Sequence, residues 1–304
     1  MSNNKFRTED PETIEIVDYV VGFLDILNQK HYLNRWGTED DINNKRIESL
    51  EAIGKTLGTV HELRKMVTSF NTKYNAATPV PSKLRISHPK KTETYERTAN
   101  SRLESFAITD TVVFFAPANL EDGVAHMKSI FGIMFGMAAT HFHCLSNGVA
   151  TRGSIEIGLG CNDLYADLYG PCIASAYQLE SECAQYPRIV CGDGLTRFLD
   201  KTQTETKDPQ ISPINRNIAG FAKKFLTVDS DGNTIVDFAG EGMASLAIEL
   251  QPDELARHLF RDQFVKMRSF TSSSLKQFEG SNNKLHARYQ MLDKYLESNR
   301  SHWE

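Results

Sequence analysis

Two aspartates stand where local structure gives a carboxylate little reason to be. Asp25 lies in the almost wholly apolar run VVGFLDIL, and Asp110 lies in SFAITDTVVFF, between two apolar segments. A charge buried without a partner costs several kcal/mol. A divalent cation removes that cost. Two carboxylates at neighbouring strand ends can hold two Mg2+ or Mn2+ ions about 3.5–4 Å apart, an arrangement that serves in-line attack at phosphorus. Structural roles stay open beside this one: Asp25 as the cap of a following helix, Asp110 as a turn residue.

Other chemistries find less footing. His141, His143 and Cys144 could suggest zinc, but the two histidines fall on opposite faces of a helix and no second ligand pair has the usual spacing. Gly153, Gly158 and Gly160 imitate a dinucleotide fingerprint without its third glycine, and no GxxxxGK[ST] occurs.

The elements that must carry Asp25 and Asp110 are legible. YVVGFLDI reads as a buried strand. A helix follows, with Ile47, Leu50, Ile53, Leu57, Val60, Leu63 and Val67 at helical spacing. Residues 71 to 100 read as a polar loop with Pro79, Pro81 and Pro89. RLESFAITDTVVFFAP reads as two strands meeting at Thr109-Asp110-Thr111. A long apolar helix from about Leu120 to Leu145 ends at Asn147-Gly148, and its Met and Phe stripe (Met127, Phe131, Met134, Phe135, Met137) reads as core or dimer packing. TRGSIEIGLG is a strand, GPCIASAYQLESECAQY a helix and PRIVCGD a strand. Beyond Asp193 come a polar loop, a hairpin in FLTVDSDGNTIVDFAG and helices from Asp253 onward. The order predicts an α+β fold, an antiparallel sheet covered by helices.

Bulk properties set the surroundings. The 304 residues carry a net charge of −5, which offers no basic field for nucleic acid or an anionic membrane. Five cysteines and a polar opening, MSNNKFRTEDPET, are those of a reducing cytoplasm. The most apolar stretch, SIFGIMFGMAAT, is too short to cross a bilayer.

VGFLDIL before a helix, SFAITDTVVFF at a hairpin, and TRGSIEIG with YGPCIASAYQLES and YPRIVC resemble the class III nucleotidyl cyclases. The last two segments are most similar to the Pycsar pyrimidine cyclases, bacterial anti-phage enzymes that make cyclic UMP or cyclic CMP as messengers for a separate effector. The resemblance covers about residues 17–194, with weaker echoes in DSDGNTIVDF and HARYQMLDKY. It implies a polar segment over 1–16, a catalytic domain over 17–194 and an extension over 195–304 packed on that core. It implies that Asp25 and Asp110 each bind two divalent ions, Mn2+ or Mg2+, and that the Ile26 carbonyl binds one. Phe23, Leu27 and Asn28 would line the substrate, with amides near Leu27 to Gln29 as phosphate donors. The working form would be a head-to-tail homodimer.

The chain departs from that family in places. Ala174 and Gln178 stand where purine-using members carry an asparagine and a transition-state arginine. Arg152 is the substitute its planar fork recommends. Asn28 stands where pyrimidine cyclases show glycine. Phe106 replaces a base-contacting lysine, and Asp167 falls where a carboxylate reads the base. The substrate expected is UTP, giving cyclic UMP, with CTP or a purine as alternatives and a catalytically silent scaffold as the reading of another class.

Overall fold

The computed structural model describes residues 5–7, 13–27, 46–76, 97–98, 103–162, 168–249 and 253–304. Strands β1 (Lys5–Arg7) and β2 (Thr13–Glu15) form a small hairpin of their own. The main sheet holds β3 (Val17–Ile26), β4 (Glu104–Ile108), β5 (Thr111–Pro117), β6 (Thr151–Asn162), β7 (Leu168–Tyr169), β8 (Ile189–Cys191), β9 (Leu226–Val228) and β10 (Thr234–Val236). Its order is β4-β5-β3-β6-β8-β10-β9, with β7 against β6.

The sheet is antiparallel except at one place. β6 and β8 run parallel, Ser154 opposite Val190, because helix α3 carries the chain across one face between them. The helices longer than ten residues are α1 (Arg46–Ala76), α2 (Met127–Ser146), α3 (Pro171–Cys183), α4 (Asp193–Gln203), α5 (Ser212–Lys223), α6 (Glu254–Phe278) and α7 (Asn283–Ser298). The fold is α+β, a mixed and mostly antiparallel open sheet covered by helices.

β3 is buried on both faces, which explains its unbroken apolar sequence. Val20, Leu24 and Ile26 point into the larger core with Ile130, Ile133, Met134 and Met137 of α2. Tyr19, Val21 and Phe23 point to the other face, with Val113, Phe115 and, from α3, Cys172 and Ala176. Gly22 lets α2 approach: a Cβ there would lie 2.2 Å from Met137 Sδ. Gly160 does the same for α3, since its Cβ would lie 2.6 Å from Cys172 Sγ. The glycines that imitate a nucleotide fingerprint are thus packing residues of β6.

Several expected boundaries shift. α2 begins at Met127 rather than near Leu120, because Gly123 takes a positive φ in a turn and His126 caps the helix, Nδ1 accepting from the Ser129 amide. α2 has the length and composition of a membrane span, yet most of it is buried inside the protein. Ile47, Leu50 and Leu57 of the expected α1 stripe are exposed, whereas Leu63 and Ala52 are buried. Residues 193–223, read as a polar loop, form α4 and α5.

The C-terminal residues close the larger core. Hairpin β9–β10 extends the main sheet through Ile235 opposite Val190. Trp303 stacks on Phe142 and Phe264 and donates from Nε1 to Ala239 O at 2.7 Å. Tyr295, partly buried, donates to Asp237 Oδ1 at 2.7 Å and accepts from the Ala239 amide. Residues 195–304 therefore contribute both strands and core to the structure that carries Asp25.

Candidate active site

The end of β3 brings three neighbours to Asp25 through register alone. Thr111 at the start of β5 is its partner on one side, and Arg152 at the start of β6 is its partner on the other. Thr111 Oγ1 donates to Asp25 Oδ1 at 2.9 Å, and Arg152 Nε donates to Asp25 Oδ2 at 3.4 Å. Asp110 precedes Thr111 in the two-residue turn that closes β4 on β5. Thr109, the other turn residue, holds φ at +51°, a conformation costly for a β-branched side chain, and its Oγ1 donates to Asp110 Oδ1 at 2.8 Å. Strain of this kind gathers where a position must be held.

A third carboxylate completes the cluster. Cys172, Ala176 and Glu180 recur at four-residue spacing on the buried side of α3, and Glu180 is 4% exposed. Its Oε1 lies 2.6 Å from Arg152 Nε as an ion pair, but off the N–H direction, so that oxygen accepts no hydrogen bond among the described residues. The spacing of that buried stripe is the signal in the sequence that points to Glu180.

Electrostatics mark the cluster as short of positive charge. Burial raises the Asp25 pKa, the Asp110 charge adds to it, and the Thr111 hydrogen bond and Arg152 only partly offset them. Burial also pushes Glu180 up to about 7; Arg152 opposes the shift, and the charges of Asp25 and Asp110 add to it. A second arginine, Arg288 on α7, is held below its usual range by burial and by the Arg152 charge. Asp25 and Glu180 thus share one guanidinium, with the Asp110 charge added beside them.

These residues fit a divalent cation of the hard, oxygen-preferring kind. No group of three or more His, Cys, Asp or Glu among the described residues is arranged to enclose a metal. Two carboxylates and a backbone carbonyl suit an ion that completes its shell with water and phosphate oxygens, as Mg2+ does. The negative charge at Asp25, Asp110 and Glu180 would supply the attraction.

The other expected residues divide. Ile26 pairs with Thr151, its side chain in the larger core, so only its backbone can face the cluster. The Leu27 amide already donates to Ala150 O at 2.8 Å and is not free for phosphate. Phe23 is buried, its ring 6.1 Å from that of Tyr177. Phe106 lies on the edge strand β4, half-buried, 5.8 Å from the Phe115 ring on the Asp25 face of the sheet. Asn28 and Asp167 lie outside the described residues. Ala174 and Gln178 are exposed on α3, and Gln178 donates to Glu182.

His141 and His143 lie in different surroundings. His141 is fully buried, bonded through Nδ1 to Thr151 Oγ1 at 2.7 Å and pushed down to about 3 by burial, while His143 is exposed. The chain matches no family model and no curated protein.

Proposed function

We propose that this protein is a metal-dependent pyrimidine nucleotidyl cyclase, converting UTP to cyclic UMP and pyrophosphate. The supporting observation is the meeting of Asp25 and Asp110 at the ends of adjacent strands, in a cluster whose carboxylates outnumber its cations. Divalent ions bound there would lower the pKa of the ribose 3′-hydroxyl and neutralise the departing pyrophosphate. Asp25 and Asp110 would hold them, Asp25 steadied by Thr111 and Asp110 by its strained turn. The attacking 3′-oxygen loses its proton and bonds the α-phosphorus as the bond to the β-phosphate oxygen breaks. Phe106, an aromatic in place of a polar base reader, suits a small base by stacking. The resemblance adds a cytoplasmic, head-to-tail homodimer, with the messenger read by a separate effector in anti-phage defence.

Incubation of the purified protein with ATP, GTP, CTP and UTP in Mn2+ tests this. Cyclic UMP as the main product is the expected result. A preference for ATP or GTP would discard the pyrimidine assignment and keep the cyclase. One observation favours a second reading, a catalytically silent cyclase-like dimer that acts as a scaffold: α3 carries Ala174 and Gln178 in place of the family's asparagine and arginine, and Arg152 is engaged by two carboxylates. Absence of any cyclic product from all four nucleotides would select it. Sedimentation tests the dimer, and an active monomer would exclude the shared site.

A further inference from the structure

Arg152 stands between two acceptors that compete for its single Nε–H. Its Nε–H points at Asp25 Oδ2 over a long 3.4 Å, while Glu180 Oε1 sits closer, at 2.6 Å, outside that direction. Glu180 Oε1 is buried and takes no hydrogen bond among the described residues, an expensive state for a carboxylate oxygen. The side chains of Arg152, Asp25 and Glu180 are 19%, 16% and 6% exposed, so water offers none of them an easy alternative.

A divalent cation at Asp25 changes this balance. It and the guanidinium repel each other and seek the same oxygens. Arg152 must then leave Asp25, and a half-buried guanidinium without a carboxylate is costly. A small rotation turns the Nε–H toward the oxygen already beside it.

We propose that Glu180 is the positioning residue that receives Arg152 when a divalent cation takes Asp25. The inference rests on the metal site proposed above and assigns it a regulator of affinity. Glu180 touches neither the metal nor the nucleotide; it acts by giving the competing guanidinium somewhere to go. Without it, Arg152 stays on Asp25 as an internal competitor.

Calorimetric titration of the intact protein with Mn2+, without nucleotide, reads this directly. Glu180→Gln keeps shape and removes charge, and should weaken Mn2+ binding roughly 10–100-fold, the usual size of an outer-ligand effect. Glu180→Gln combined with Arg152→Gln should regain most of the wild-type affinity, because the competitor is gone. Arg152→Gln alone should bind at least as tightly as wild type. Equal affinity in wild type and Glu180→Gln would overturn the proposal while the metal site stands. Equal losses in Glu180→Gln and the double variant would overturn it too, since the effect would not pass through Arg152. A wild-type protein that takes up no Mn2+ and forms no cyclic product would remove the metal site itself, and the proposal with it.

Discussion

Two arginine–carboxylate clusters sit on neighbouring strands, and they are built to opposite ends. Around Arg188, just before β8, the two terminal nitrogens of the guanidinium are well partnered, and only its buried Nε has no hydrogen-bond partner among the described residues. Its guanidinium, 0% exposed, pairs with Asp229 and Asp231 of the β9–β10 turn, donates to Cys183 O at 2.6 Å and lies over the Tyr186 ring. Burial opposes ionisation of Asp229, but Tyr186, the Ser230 amide and Arg188 together bring its pKa below the usual range, and the Arg188 hydrogen bond takes Asp231 down to about 2. Around Arg152, Asp25 and Glu180 are raised, one Glu180 oxygen has no hydrogen bond among the described residues, and a neighbouring turn is strained. One network holds its carboxylates in the charged form, and the other disfavours that form, which is the commoner state of a binding site.

The sharpest way to break this contrast is to cut each cluster at its centre. Arg188→Ala should cost about 3–5 kcal/mol of folding stability, because it leaves two carboxylates facing each other without their cation. Urea unfolding measures it, and a loss below about 1 kcal/mol would show that the hairpin cluster is dispensable. Asp25→Asn and Asp110→Asn should do the reverse. Each should lower turnover by at least roughly a hundredfold, about 3 kcal/mol in the barrier, with unfolding midpoints equal to or above wild type. Removing a negative charge from a crowded acidic cluster relieves repulsion. Near-wild-type turnover in either variant would end the metal assignment.

How much of this could be read from residues alone follows from where each cause lies. β3 was legible because burial on both faces writes a continuous apolar run, and the Thr109-Asp110 turn because two strands flank it. The meeting of Asp25 with Asp110 was legible only through resemblance, since register depends on pairing that spacing does not show. α4 was missed for a clear physical reason. Its first residue follows Gly192, which has no side chain to cap the helix, and the cap comes from Glu156 on β6, whose Oε1 accepts from the Leu195 amide at 3.1 Å. A cap supplied from 39 positions away leaves no local signature. The stripe Leu195, Phe198, Leu199, Thr202 was there to be found. The parallel β6–β8 pair was hidden because β8 has only three residues. DSDGN read as a plain turn, and its role as the counter-charge to Arg188 needed the fold. The same holds for Glu180, polar in sequence and buried in space.

The smallest effect tests the contrast through protons. Glu180 titrates at about 7 in the folded protein against an ordinary 4.5, so between those values the folded state binds more protons than the unfolded one. Stability must therefore fall as pH rises through that window, by up to about 1.4 kcal/mol per pH unit. Asp25, also raised, contributes with the same sign. Asp231 does the opposite. Its folded pKa of about 2 lies below an ordinary 3.8, so its contribution is full above 3.8 and disappears as pH falls toward 2. Asp237 and Glu156, raised by burial, slope the same way as Glu180, which makes the difference between profiles the useful quantity. Subtracting the Glu180→Gln profile from wild type should leave a slope confined to pH 4.5–7, negative with rising pH. Subtracting Asp231→Asn should leave a slope of the other sign, confined to the acid side of 3.8. Denaturant midpoints taken across pH in one buffer series at constant salt supply both curves. If the two differences share a sign, the clusters are electrostatically alike, and the division between the Arg188 and Arg152 clusters fails.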